Sequence, residues 1–221
     1  MELKNQTNST RNFIALLLVF MCMAYHTNGQ GISSNTQGFS VSAYGTFTNF
    51  KSTSFWFANI SELDDTGYGV GVEIGYGISE TIKVFAGYQV SNFNLNDNWD
   101  NNGLDVFEAG IKYNFLGSLS KVRPYLSGSV SWNSVSISPA SYIDDSGNSI
   151  NDVKLKSAGY SFNAGIGLQY FVSPDFSIDL GVGGKFGNFS ENFVDGNPIT
   201  FDEGVDLRYL FGKIGLTYSF Y

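Results

Sequence analysis

From Gly67 to Ile78 every second residue is large and apolar, Tyr68, Val70, Val72, Ile74, Tyr76 and Ile78, and every residue between is glycine except Glu73. A period of two is incompatible with a helix, whose faces repeat every ~3.6 residues. It defines a strand with one apolar face and one face of minimal bulk. The alternation recurs along the chain. Phe39, Val41, Ala43, Gly45 and Phe47 carry the first strand; Ile82, Val84, Ala86, Tyr88 and Val90 the third; Phe107, Ala109, Ile111, Tyr113 and Phe115 the fourth; Val122, Leu126, Val130 and Trp132 the fifth. Tyr160, Phe162, Ala164, Ile166, Leu168 and Tyr170 carry the sixth, Phe176, Ile178, Leu180, Val182 and Phe186 the seventh, and Leu210, Ile214, Leu216, Tyr218 and Phe220 the last. Twenty-six Gly, 20 Phe and 13 Tyr against 4 Pro and 14% charged residues suit twisted sheet more than helix.

The connections alternate in length. Lys51–Asp65, Asn92–Asn102, Ser136–Val153 and Asn188–Gly204 read as long polar loops, whereas Ser79–Glu80, Leu116–Lys121 and Val172–Asp175 read as tight turns. Each strand reaches the about nine to eleven residues that a tilted membrane strand needs. Short turns on one side and long loops on the other are the layout of a barrel across a bilayer. A soluble barrel would put bulky apolar side chains inside. Here the second face consists of Gly, Ser, Thr, Asn and isolated charges, which build no dry core but can fill a narrow polar lumen. The predicted fold class is therefore all-β, an eight-stranded antiparallel up-and-down transmembrane β-barrel with its apolar face outward and aromatic girdles at strand ends. A soluble antiparallel sandwich is the lesser alternative.

Lys4 and Arg11 precede an apolar run from Phe13 to Tyr25, followed by the small polar stretch His26–Gly31. This is the layout of a secretory signal peptide, and the run is too short for a membrane-spanning helix. Residues 1–29 are assigned to the leader and 30–221 to the barrel domain, with cleavage before Gln30. Cys22 follows Met21 where lipid attachment wants a small residue, which disfavours a lipoprotein. Removal of the leader takes away Cys22 and His26, the only cysteine and histidine.

The segments RPYLSGSVSW, from Arg123, and GLTYSF, from Gly215, together with the strand pattern of nearly the whole mature chain, resemble the small OmpA- and OmpX-like barrels and the outer-membrane barrel proteins of Bacteroidetes. The resemblance implies a bacterial outer membrane with both termini periplasmic. It implies an assembly signal in the last strand, Ile214, Leu216, Tyr218 and Phe220, read by the barrel-assembly machinery. It further implies contact with outer-membrane lipid and lipopolysaccharide, and no peptidoglycan-binding half of the OmpA kind.

The face assigned to the interior carries Glu73, Lys83, Glu108, Lys112, Arg123, Asp179, Lys185 and Lys213. Glu73, Glu108, Asp179 and Lys213 fall near mid-height, and Lys83, Lys112 and Arg123 nearer the short turns. Confined charges are costly unless paired. They form either a salt-bridge network that fixes strand register and fills the bore, or a charged constriction that gates a narrow pore.

Other chemistries find little support. The glycine strings lack the spacing of nucleotide-binding loops and no helix follows them. Asn98, Asp100, Asn102 and Gly103 begin like a calcium loop, but Ala109 stands where its bidentate Glu belongs. Glu62, Asp64, Asp65, Asp97, Asp100, Asp144, Asp145, Asp152, Glu191, Asp195, Asp202 and Glu203 make the connections acidic, consistent with a net charge of -8. Solvation, or divalent-ion bridging to lipopolysaccharide, accounts for them, and nothing basic is arranged for nucleic acid. Barrel enzymes rely on histidine, which the mature chain lacks, so no catalytic, cofactor or metal residue is assigned. The expected function is a non-enzymatic barrel displaying external loops for surface interaction, for an extracellular ligand, or for envelope integrity. A narrow pore is the alternative, and an enzyme with unfamiliar residues a third.

Overall fold

A computed structural model of the chain describes residues 34–51, 64–93, 101–143, 147, 149–199 and 205–220. The described residues contain no helix. They form β1 (Gly38–Lys51), β2 (Asp64–Gly77), β3 (Ile82–Phe93), β4 (Asn101–Asn114), β5 (Val122–Ile143), β6 (Ser149–Phe171), β7 (Phe176–Val194), β8 (Asn197–Ile199) and β9 (Val205–Ser219). The leader, residues 1–29, lies outside the described residues, as do Glu62, Asp97, Asn98, Asp100, Asp144, Asp145, Asp202 and Glu203.

Neighbours in sequence pair antiparallel from β1 to β7, β7 pairs with β9, and β9 pairs with β1, so the sheet closes. β8 pairs with the end of β7 and lies outside this cycle, leaving eight strands in the wall. Val41 pairs across the wall through Ile74, Ala86, Ala109, Val130, Phe162, Phe186 and Arg208 back to Lys51, ten residues further along β1. That stagger tilts the strands by about 40° to the barrel axis.

Between the two aromatic levels the apolar face of every wall strand points outward. Val70, Ile74, Ile111, Phe162, Val182 and Ile214 are all exposed, while Ser42, Thr46, Ser131, Ser161, Asn163 and Thr217 are buried in the lumen. Aromatic residues gather at two levels. Phe39, Phe220 and Tyr218 pack together near the short turns, as do Tyr113 and Phe115, and Phe47 meets Tyr68 at the other end. From Phe39 to Phe47 the strand rises about 26 Å, or about 20 Å after tilt, most of the about 25 Å height of an outer-membrane barrel's apolar band.

Two long connections are much shorter than the sequence reading had them, and the other two differ by one or two residues at each end. Ser136–Val153 is mostly strand: β5 runs to Ile143 and β6 starts at Ser149. Asn188–Gly204 likewise begins as β7, which continues to Val194 before β8. Asp152 and Glu191 consequently sit in strands. Above the upper aromatic level these strands turn apolar residues inward, an inversion that reads as loop when a single outward apolar face is sought. Phe93, Leu104, Val106, Val135, Ile137, Val153, Leu155, Phe189, Val194, Leu207 and Tyr209 form one buried cluster inside the wall. The expectation that the inner face builds no dry core is thereby corrected for the upper part of the barrel.

The segment before β1 runs across the opposite end. The Ser34 amide donates to the Ser118 carbonyl at 2.6 Å, the Asn35 amide to the Pro174 carbonyl at 3.2 Å, and the Thr36 hydroxyl to the Glu80 carbonyl at 2.9 Å. Three successive residues thus touch the three short turns.

Candidate functional site

Inward charges at these positions follow from strand parity. Glu73 comes from β2, Lys83 from β3, Glu108 and Lys112 from β4, Arg123 from β5, Asp179 and Lys185 from β7, and Lys213 from β9. Their burial differs from that of a surface charge by an order of magnitude: the side chains of Glu73, Lys83, Lys112 and Lys185 are at most 5% exposed.

Glu73 is the hub. One of its oxygens lies 2.6 Å from the Lys112 ammonium and 3.6 Å from that of Lys83, and the other lies 3.5 Å from Lys213. Lys112 also approaches Asp179, at 3.7 Å. Asp179 accepts hydrogen bonds from the Tyr125 hydroxyl at 2.6 Å and from the Gln169 amide at 3.4 Å. One carboxylate facing several ammonium groups offsets the desolvation that makes an isolated buried charge so costly.

Glu108 anchors a second group. It accepts from Lys185 at 2.6 Å and from the Ser129 hydroxyl at 2.7 Å. Asn163 donates to Ser129 at 2.8 Å, and a ladder of Ser131, Ser161 and Asn133 continues to the Tyr209 hydroxyl, which donates to Asn133 at 3.0 Å. Arg123 stands apart from both groups. Fully buried near the short turns, it donates to the Thr36 hydroxyl at 2.8 Å and to the Glu80 carboxylate at 3.4 Å, and also reaches the Glu80 carbonyl.

Aromatic rings complete the coordination. Lys112 lies 5.1 Å from the Phe85 ring centre and 5.3 Å from that of Tyr125; Lys185 is 5.7 Å from both Tyr209 and Phe211; Lys213 is 5.3 Å from Tyr44. Ring faces carry partial negative charge and suit a desolvated ammonium. The inward glycines make this arrangement fit, because a β-carbon at Gly71 would meet the Tyr44 ring and one at Gly167 the Tyr125 ring. Bulk removed from one strand is filled by a tyrosine from another.

Seven of the eight sequence-identified charges therefore meet in two adjoining clusters, and Arg123 joins the N-terminal segment instead. Lys112, placed by parity near the short turns, reaches up to Glu73. Sequence reasoning missed Tyr44, Phe85, Tyr125, Tyr209 and Glu80. The signal for Tyr125 was available, since it stands two residues from the inward Arg123. In the last strand Ile214, Leu216 and Tyr218 point outward and are exposed, with Phe220 just beyond. The described residues hold no group of acidic, histidine or cysteine side chains suited to a metal.

No family model matches the chain, and no curated protein does. Solved structures do resemble it. Neisserial surface protein A aligns with a TM-score of 0.56 at 19% identity over 83% of this chain and 98% of that one. The outer membrane protein OprG from Pseudomonas aeruginosa aligns with a TM-score of 0.52 at 11% identity over 86% and 99%. At such identities the likeness is one of fold: the chain has the fold of the small eight-stranded outer-membrane β-barrels.

Proposed function

We propose that the chain is a non-enzymatic outer-membrane barrel whose lumen is a plug and whose external connections make its contacts, whether with a surface ligand or in maintaining the envelope. Both termini lie in the periplasm. The outward belt meets outer-membrane lipid and lipopolysaccharide, and Ile214, Leu216, Tyr218 and Phe220 serve as the signal for the barrel-assembly machinery.

The observation that carries the plug is the filling of the bore at successive levels. Arg123 and the N-terminal segment occupy the lower mouth, the Glu73 and Glu108 clusters the middle, and eleven buried apolar side chains the top. An ion crossing it would have to break buried pairs and then traverse an apolar layer, both costly steps. Mass on the inside of a narrow barrel rigidifies the wall, and a rigid wall is a good support for loops that bind.

The rival, a narrow pore, draws on one observation. Four mid-lumen lysines face three carboxylates, and the side chains of Glu108 and Lys213 keep 22% and 17% exposure. Planar-bilayer recording of the refolded barrel separates the two. The plug predicts silence from protein shown to be folded, with or without Glu108→Gln and Lys213→Met. Discrete conductance steps that change with those substitutions would replace the plug with a gated pore.

A further inference from the structure

The segment Ser34–Gln37 is held differently from the rest of the barrel. Every wall strand is fixed by two ladders of backbone bonds, whereas this segment is fixed by a few isolated bonds to three separate turns. The Ser34 hydroxyl adds contacts at 3.2 Å to the Ser118 carbonyl and 3.1 Å to that of Ser120. Thr36 is the midpoint: its hydroxyl donates to the Glu80 carbonyl and accepts from Arg123, whose guanidinium continues to the Glu80 carboxylate. Ser34 and Thr36 are buried although they lie at the end of the molecule. Space for the crossing is reserved on the wall, since a β-carbon at Gly77 would overlap the Thr36 carbonyl.

We propose that residues 34–37 form a removable strap that controls access from the short-turn end to the lysine and carboxylate clusters, with Arg123 as its latch. The upper seal is built from side chains of the wall itself and cannot leave without unfolding. The strap belongs to no strand, and among the described residues its hydrogen bonds to the rest of the barrel are those named above. Opening it turns the lower lumen into a half-channel, open below and shut above by the apolar cluster. Water and small ions would then reach Glu73 and Asp179 without crossing the membrane. This inference does not rest on the lumen being silent, because access from one end and conduction through both are separate measurements.

Thiol accessibility tests it. In a Cys22→Ser background, which leaves the chain without cysteine, Ser177→Cys places a thiol at a buried inward position at the foot of β7. Ser161→Cys places another in the hydrogen-bonded layer above. The rate of modification by a small anionic methanethiosulfonate is measured on detergent-folded barrel, with folding verified by the mobility shift on boiling. The Ser177→Cys thiol is expected to react at least tenfold faster when Arg123→Gln is added, and by an intermediate factor with Thr36→Val, which removes two bonds but leaves the Arg123–Glu80 pair. The Ser161→Cys thiol is expected to stay slow throughout. Equal Ser177→Cys rates in parent and folded variants would overturn the strap as a barrier. Equal acceleration of both thiols would overturn it too, showing that the barrel had loosened as a whole. Should Arg123→Gln fail to fold, Thr36→Val alone decides, by acceleration or its absence.

Discussion

The lower and upper halves of the lumen are filled by opposite chemistries, although the same strands run through both. On β6, Phe162 and Ile166 face outward while Ser161 and Asn163 face inward; higher up, Leu155 and Val153 are inside and Lys154 is exposed. The side facing the surroundings is apolar where those surroundings are hydrocarbon and polar where they are water. The inner side takes whatever the outer side does not. In the lower half few inner side chains are apolar, Phe85, Tyr125 and Phe171 among them, so cohesion comes mainly from ion pairs, hydrogen bonds and rings around ammonium groups. In the upper half it comes from burying apolar area, as in a soluble protein. One sheet thus holds a membrane barrel's interior and a soluble barrel's interior end to end.

The largest effect is expected from Glu73→Lys, which would set a fourth ammonium among three lysines that have lost their shared carboxylate. Leaving buried charges uncompensated costs about 3 to 5 kcal/mol or more, and no heat-modifiable band should survive. A folded, stable variant would mean that the lower half does not depend on its ion pairs. In the upper half Phe189→Ala should cost about 3 to 5 kcal/mol through the cavity it leaves, read from the denaturant midpoint of the single barrel transition. A loss under about 1 kcal/mol would reveal a loosely filled top and break the comparison. Glu108→Gln should be milder, about 1 to 3 kcal/mol, because the carboxylate keeps some solvent and Lys185 retains the Tyr209 and Phe211 rings. Glu108→Lys should be worse than Glu108→Gln, since it adds a repulsion. The smallest effect belongs to Arg208→Ala, outside the lumen, where the exposed pair with Asp206 at 3.2 Å is worth under about 1 kcal/mol. A cost comparable to that of Glu108 would erase the distinction between inner and outer charges.

Much of this was legible in the sequence. Alternation placed the wall strands and their inward parity, because hydrocarbon imposes a uniform apolar requirement on one face of every strand. Legibility ended where that requirement ended. Above the upper aromatics the rule inverts, so Ile137, Val153, Phe189 and Val194 fell into stretches that read as loop. The pairing of the charges was hidden for a different reason. Lys112 and Lys213 reach Glu73 across the lumen, and parity says which way a side chain points but not how far it extends or what it meets. The crossing of residues 34–37 leaves no periodic trace at all, since it rests on isolated bonds to turns.

Two of the three ammonium partners of the Glu73 hub, Lys112 and Lys213, lie 39 and 140 residues from it along the chain. Lys213 belongs to the strand that closes the cycle, and its carboxylate waits on the second. Until the last strand docks against the first, the sheet carries an acidic residue lacking one of its ammonium partners and a lysine lacking the carboxylate that accepts its hydrogen bond. Circularisation is what makes both tolerable. The network therefore acts as a checksum on assembly: it adds up only for a ring of the right number of strands at the right offset, and a ring that is short, slipped or unclosed is penalised from within.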